Sequence, residues 1–275
     1  MKNKKQKVIY YNDENNDDFA GTNIKTKQID ENYKYVHKNP IWRFFEFIVY
    51  YVIAIPLVWL FMRVILRVKF VNKKAVKAYK KQPYYMYGNH TGFIDAFTPN
   101  LISMPRKNMI VVGPDTVSIK GLRTIVKMLG ALPTPGNIKS AKNFIKAMDE
   151  THKTRNITIY PEAHIWPYYT KVRNFPDTSF SYPAKSNAPC FAFFTAYTKP
   201  KGFLSFLRKA NVTVYISEPI FADENLTVSE KKKQLRNKVY EFMQENTKHS
   251  DYEVIKYVKK AEDCTQNSDT YAENQ

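Results

Sequence analysis

A nearly unbroken apolar segment constrains the fold of this chain more than any other feature. It runs from Phe44 to Met62 as FFEFIVYYVIAIPLVWLFM, with Glu46 as its only charged residue. The sixteen uncharged residues from Phe47 to Met62 are fewer than the ~20 that a spanning helix needs, and Pro56 is expected to kink the helix. The sequence is therefore compatible both with a helix that crosses a membrane and with a kinked helix that enters one leaflet.

A basic segment follows the apolar one, with eight Lys or Arg residues between Arg63 and Lys81. The positive-inside rule then predicts that the rest of the chain lies on the cytoplasmic face of the membrane. The formal net charge of +18 favours an acidic partner: membrane lipids with anionic headgroups, a phosphorylated small molecule, an acidic carrier protein or nucleic acid. Because no zinc-finger spacing, Walker loop or RNP-like box is present, nucleic acid is not expected.

Composition divides the chain into four parts. Residues 1–38 are polar and are expected to form a disordered tail, residues 40–66 a membrane-associated helix, residues 67–260 the main domain, and residues 261–275 a loose tail. The two cysteines are too few for a disulfide framework, which indicates a reducing compartment. Cys190 has apolar neighbours and is predicted to be buried and inert.

Short apolar runs alternate with helical patterns after the apolar segment. This alternation predicts an α/β fold, with a mixed and largely buried sheet flanked by helices. Thr227 and Glu230 predict a capping box at the start of a last helix. The predicted strands cover 84–87, 109–112, 156–160, 190–197 and 212–217, and the predicted helices before the last one cover 121–129 and 140–151.

The segment Asn89-His90-Thr91-Gly92-Phe93-Ile94-Asp95 predicts catalytic chemistry. On a continuous helix, residues five apart point about 140° away from each other, so His90 and Asp95 would diverge. Gly92 is expected to admit a turn that brings the two side chains together near a helix start. A neutral imidazole held by a carboxylate could then accept a proton from a hydroxyl group.

A second group of polar residues follows the strand that Pro161 ends. Glu162 would lie at the carboxyl end of that strand, where α/β proteins usually gather their ligands. Lys171 and Arg173 lie on an aromatic-rich loop, where they could clamp a phosphate or rest on lipid as an interfacial patch. His164 raises the alternative of a metal site with His90 and Asp95, but nothing in the spacing shows convergent ligands, so no metal is expected.

Together these motifs resemble the glycerolipid acyltransferase family that includes 1-acylglycerol-3-phosphate acyltransferase. The resemblance covers roughly residues 42–220 and includes His90-Thr91-Gly92-Phe93-Ile94-Asp95, Tyr160-Pro161-Glu162 and Ala188-Pro189. It implies that His90 is a general base oriented by Asp95, that Glu162 binds or shapes the acceptor site, and that Ala188-Pro189 is structural. The implied reaction moves a fatty acyl group from acyl-CoA or an acyl carrier protein to a lysophospholipid hydroxyl, with no cofactor.

This chain also departs from the family pattern. Ala163-His164-Ile165 replaces the family's Gly-Thr-Arg, and the block at 130–135 lacks the usual Arg. Lys171 or Arg173 are the candidate replacements for the first missing Arg, with an acceptor that lacks a phosphate as the alternative. Arg123 and Lys127 are the candidate substitutes in the second block. A non-catalytic protein that binds anionic lipid and a hydrolase in which His90 activates water are the alternative functions.

Overall fold

The described residues, 6–20, 24–202 and 205–260 of a computed structural model, form two sheets. The main sheet has seven strands in the order β2-β8-β7-β3-β6-β4-β5, and a separate pair joins β1 to β9. All neighbours are parallel except β7 and β8. The strands are β1 (Lys7–Tyr11), β2 (Lys69–Val71), β3 (Tyr85–Gly88), β4 (Asn108–Val112), β5 (Ala131–Pro133), β6 (Asn156–Ile159), β7 (Cys190–Thr198), β8 (Asn211–Ile216) and β9 (Ile255–Lys259).

Helices cover both faces of the main sheet, which confirms the predicted mixed α/β fold. Tyr85 and Tyr87 of β3 pack into the core on one face, and Tyr84 and Met86 pack into the core on the other, because successive side chains of a strand alternate in direction. The helices are α1 (Pro40–Ile65), α2 (Lys73–Ala78), α3 (Thr98–Ser103), α4 (Arg123–Leu129), α5 (Ile138–His152), α6 (Ser181–Ser186) and α7 (Val228–Asn246).

Several local predictions are also confirmed. Thr227 accepts a hydrogen bond from the Glu230 backbone, and the Glu230 carboxylate accepts one in return, so the capping box starts α7. Cys190 is fully buried, and burial raises the pKa of its thiol well above the ordinary value. A buried thiol of this kind is poorly nucleophilic, as the apolar neighbours predicted.

Helix α1 has the reverse of the polarity expected for a surface helix. Its one acidic residue, Glu46, is buried against the domain and is held by Lys107 at 2.6 Å and by Arg155 at 2.9 Å. Most of its apolar side chains are exposed, with Leu57 61% and Trp59 54% accessible. The helix continues through Pro56 and is long and apolar enough to cross a membrane by length and composition.

The segment before α1 differs from the prediction. Residues 1–38 are expected to be disordered, yet Lys7–Tyr11 forms β1, paired in parallel with β9, and Ile29 and Tyr33 are buried. The average composition of the tail conceals the short β-prone sequence KVIYY. Its partner strand lies near the other end of the chain, so the local pattern does not reveal the pairing. The predicted loose tail, residues 261–275, lies outside the described residues.

Candidate active site

The turn after β3 brings His90 and Asp95 into direct contact. His90 Nδ1 lies 2.8 Å from Asp95 Oδ2, and the same oxygen accepts hydrogen bonds from the backbone N–H groups of Thr91 (2.7 Å) and Gly92 (2.9 Å). A short 3₁₀ helix, Phe93–Ala96, carries Asp95 back toward the turn. The predicted His–Asp pair therefore exists as a geometric unit.

The physical basis of the turn differs from the expectation. Gly92 has φ 168° and ψ 179°, an extended conformation that any residue can adopt. The hydrogen bonds to Asp95 shape the turn instead. At the start of this turn, packing requires a glycine at Gly88, because a Cβ atom there would lie 2.2 Å from the ring of Phe193. That close approach packs the end of β3 against β7 immediately before His90.

The imidazole of His90 is held at one nitrogen and accessible at the other. Its side chain is 17% exposed, whereas that of Asp95 is 1% exposed. The ring stacks on Tyr160, with centroids 4.4 Å apart and an interplanar angle of 14°. Among the described residues, Nε2 has no hydrogen-bond partner. A carboxylate at Nδ1 favours the tautomer with its proton on Nδ1, which leaves the Nε2 lone pair free to accept a proton.

Two tyrosines that the sequence did not single out stabilise this turn. The Tyr160 hydroxyl donates to the backbone oxygen of Asp95 at 2.6 Å, and the hydroxyls of Tyr197 and Thr91 lie 2.8 Å apart. Tyr160 follows β6, which pairs with β3, and Tyr197 lies on β7, the other neighbour of β3. The available signal was the position of Tyr160 directly before Pro161-Glu162, at the end of a predicted strand.

Glu162 and Arg173 form a buried ion pair behind the turn that carries His90 and Asp95. Arg173 Nη2 lies 3.0 Å from Glu162 Oε2, and the backbone N–H of Arg173 donates to Oε1 at 3.2 Å. The backbone N–H of His90 donates to Oε2 at 3.3 Å. Burial raises the pKa of Glu162, while the Arg173 charge and these N–H donors act in the opposite direction. Glu162 thus positions the His90 backbone from below the site.

Arg173 does not have the exposed position that a phosphate clamp needs. Its side chain is 1% exposed, and its guanidinium lies 4.9 Å from the Trp166 ring centroid. The guanidinium also donates to the backbone oxygens of Glu14 and His164. The expectation that Arg173 and Lys171 act together on a phosphate is therefore wrong for Arg173, because its charge is already neutralised by Glu162.

The other two predicted phosphate ligands lie in separate places. Lys171 is exposed and borders a cavity with other lysines. Arg123 is exposed at the start of α4, with its guanidinium 5.9 Å from the Tyr33 ring centroid, and it borders a different cavity. The structure does not group Arg123 with Lys171.

His164 lies apart from the His90–Asp95 pair. Its Nδ1 is 3.8 Å from a carboxylate oxygen of Asp18. Within the described part of the chain, no three His, Cys, Asp or Glu side chains are grouped so that they could hold a metal ion. Independence from a metal stays a prediction.

Comparison with known proteins gives a structural match only. No family model matches the sequence, and no curated protein matches it. Among solved structures, the chain is similar to the 1-acyl-sn-glycerophosphate (LPA) acyltransferase PlsC from Thermotoga maritima, with a TM-score of 0.51 and 14% sequence identity. The match covers 71% of this chain and 78% of that chain. At this identity the match supports a shared acyltransferase-like fold, as the motif resemblance implied.

Proposed function

We propose that this protein is a membrane-associated acyltransferase that moves a fatty acyl group from an acyl thioester to a hydroxyl of a lysophospholipid or related glycerolipid. The observation that carries the proposal is the 2.8 Å contact between His90 Nδ1 and Asp95 Oδ2, with Nε2 left accessible. The similarity to the PlsC fold supports the same reaction class.

In the proposed reaction, His90 Nε2 removes the proton from the acceptor hydroxyl as its oxygen attacks the thioester carbonyl carbon. A new C–O bond forms, and the tetrahedral intermediate then collapses with cleavage of the C–S bond. The imidazolium returns its proton to the departing thiolate, so His90 ends the cycle neutral. Asp95 holds the ring in the required tautomer and stabilises the imidazolium. A base of this kind contributes roughly 10²- to 10⁴-fold to the rate.

The inverted polarity of α1 supports attachment to one membrane surface. Glu46 ties the helix to Lys107 and Arg155 of the domain, and the exposed apolar side chains of α1 would enter the lipid. The basic segment Arg63–Lys81 would face anionic headgroups. We therefore favour a helix lying in the cytoplasmic leaflet over one that crosses the bilayer. At the membrane surface, positioning of acceptor and donor supplies a large part of the rate.

The test is acyl transfer by purified protein in lipid vesicles that contain a panel of lysolipids. Products are identified by mass for the wild type, His90→Ala and the control His164→Ala. We expect His90→Ala to lose at least about 100-fold in turnover while still floating with vesicles, and His164→Ala to remain active. Substantial transfer by His90→Ala would overturn the proposal.

Two other outcomes would reassign the protein. Release of free fatty acid from the thioester without an acceptor, lost in His90→Ala, would make it a hydrolase. Vesicle binding with no consumption of any acyl thioester would make it a lipid-binding protein that keeps the fold.

A further inference from the structure

A cavity of about 1180 Å³ is bordered by four lysines that no described carboxylate pairs with. We name it the lysine cavity after Lys7, Lys171, Lys209 and Lys248. All four lysines are exposed at its border. Its lining also includes neutral hydrogen-bonding groups and two acidic residues, namely Thr170, Thr247, Ser250, Tyr252, Asp251 and Glu253.

The lysine cavity is connected to the catalytic turn through short contacts. The Ser250 hydroxyl accepts a hydrogen bond from the backbone of Tyr197 at 3.1 Å, and the Tyr197 hydroxyl lies 2.8 Å from that of Thr91. From the other side, the backbone of Tyr168 donates to the Thr91 oxygen at 2.9 Å, two residues before Thr170. Tyr197 and Tyr168, each in contact with Thr91, therefore separate the cavity wall from the His90 turn.

Sheet topology explains why these parts meet. His90 follows the carboxyl end of β3, and β7 runs parallel to β3. Strand β8 runs antiparallel to β7, so Lys209, which precedes β8, lies at the same edge of the sheet. The β1–β9 pair adds Lys7 to this edge. Ligands of α/β proteins bind at this edge.

The charges of the lysine cavity favour a phosphorylated ligand. Four lysines against Asp251 and Glu253 leave an excess of positive charge on the lining. Several ammonium groups that face one space repel one another, and a ligand with more than one phosphate would relieve that repulsion. Ligand sites in proteins usually measure about 300–1,000 Å³, so the cavity has room for a nucleotide.

The two sides of the catalytic turn differ in polarity. Phe93 is 58% exposed, and its ring centroid lies 6.0 Å from that of Phe61 on α1. No described residue of α1 borders the lysine cavity. A lipid acceptor would therefore approach from the Phe93 side, which leaves the lysine cavity for a water-soluble group of the other substrate.

Building on the proposed function, we propose that the lysine cavity binds the phosphate groups of a nucleotide-bearing acyl donor, a thioester of coenzyme A. The flexible pantetheine arm would run from the cavity over the partly exposed Tyr168, whose ring centroid lies 5.7 Å from Lys209 Nζ, and present the thioester carbonyl near His90 Nε2. The lysines act on donor binding and leave proton transfer to His90.

The test compares a triple variant, Lys171→Gln/Lys209→Gln/Lys248→Gln, with the matched control Lys139→Gln/Lys142→Gln/Lys146→Gln. The control removes the same charge from exposed positions on α5. The donors are acyl-CoA and acyl-pantetheine, which lacks the nucleotide. We expect the triple variant to raise the KM for acyl-CoA roughly 10- to 100-fold and to leave the KM for acyl-pantetheine and for the acceptor unchanged.

Several results would overturn the inference: equal effects of the two triple variants, equal effects on the two donors, or a rise confined to the acceptor KM. A rise in KM seen only when the donor is a thioester of acyl carrier protein would assign the lysines to a protein partner instead. Calorimetric binding of coenzyme A to the His90→Ala protein separates this inference from the proposed function, because binding needs no turnover. If coenzyme A binds and the triple lysine variant loses that binding, the result would support a ligand site in the lysine cavity even if acyl transfer failed.

Discussion

Replacing Asp95 by Asn removes one charge while leaving the hydrogen bonds of the His90–Asp95 turn possible. The three N–H groups that contact Asp95 all converge on Oδ2, and among the described residues Oδ1 has no hydrogen-bond partner. In Asp95→Asn, an amide oxygen at the Oδ2 position can still accept from His90, Thr91 and Gly92. The turn and the imidazole tautomer should therefore survive, and the lost quantity is the attraction between the carboxylate and the imidazolium.

The size of that attraction follows from the contact distance. With Nδ1 and Oδ2 2.8 Å apart, the delocalised charges of the two groups are centred about 4 Å apart, which gives about 4 kcal/mol at an effective dielectric constant of about 20. Because the imidazolium would form only during the proposed acyl transfer, this energy would be lost from the transition state. We expect kcat to fall on the order of 10³-fold.

The assay is the vesicle acyl-transfer measurement, together with urea unfolding to verify that Asp95→Asn is folded. Asp95→Ala is the comparison variant, because it removes both the charge and the hydrogen bonds and should also destabilise the fold. If Asp95→Asn keeps a rate within about threefold of the wild type, the electrostatic argument is refuted. Asp95 would then be a structural cap of the turn.

Two further predictions concern buried ionisable side chains. Arg173→Ala should lower the free energy of unfolding by about 3–5 kcal/mol, because it leaves the buried Glu162 carboxylate unpaired. Urea unfolding measures this change. An unchanged stability together with a raised acceptor KM would instead indicate that Arg173 binds the acceptor phosphate. Burial lowers the pKa of His152 to about 4, so between pH 6.5 and 4 the unfolded chain binds a proton that the folded chain does not. As the pH falls over that range, the free energy of unfolding of the wild type should drop by roughly 2 kcal/mol more than that of His152→Phe, allowing for partial exposure. Urea midpoints that change with pH to the same extent in both proteins would contradict this.

Local pattern was enough for the main elements of the fold and for the central pair of the site. The last helix was recognisable because its capping box and its apolar spacing are properties of adjacent residues. His90 and Asp95 were recognisable for the same reason, since five residues separate them and one turn joins them. The expected role of Gly92 was wrong, because the bonds to Asp95 rather than glycine flexibility make the turn.

Long-range contacts account for what the pattern missed. Whether Arg173 faces a ligand or a carboxylate depends on how the loop folds back over Glu162, and spacing alone does not encode that path. The pairing of β1 with β9 joins segments about 250 residues apart. It converts a polar tail into one wall of the lysine cavity, next to Ser250 and Tyr252.

Neighbouring residues were therefore sufficient to specify the alternation of strands and helices, the apolar segment that became α1, and the residue types able to perform base catalysis. The folded arrangement was needed to establish which nitrogen of His90 is free, that Glu46 faces the domain while apolar side chains face outward, and which lysines share a cavity. The physical reason is that burial and pairing are set by partners distant in the chain, and charge has a different consequence in each environment.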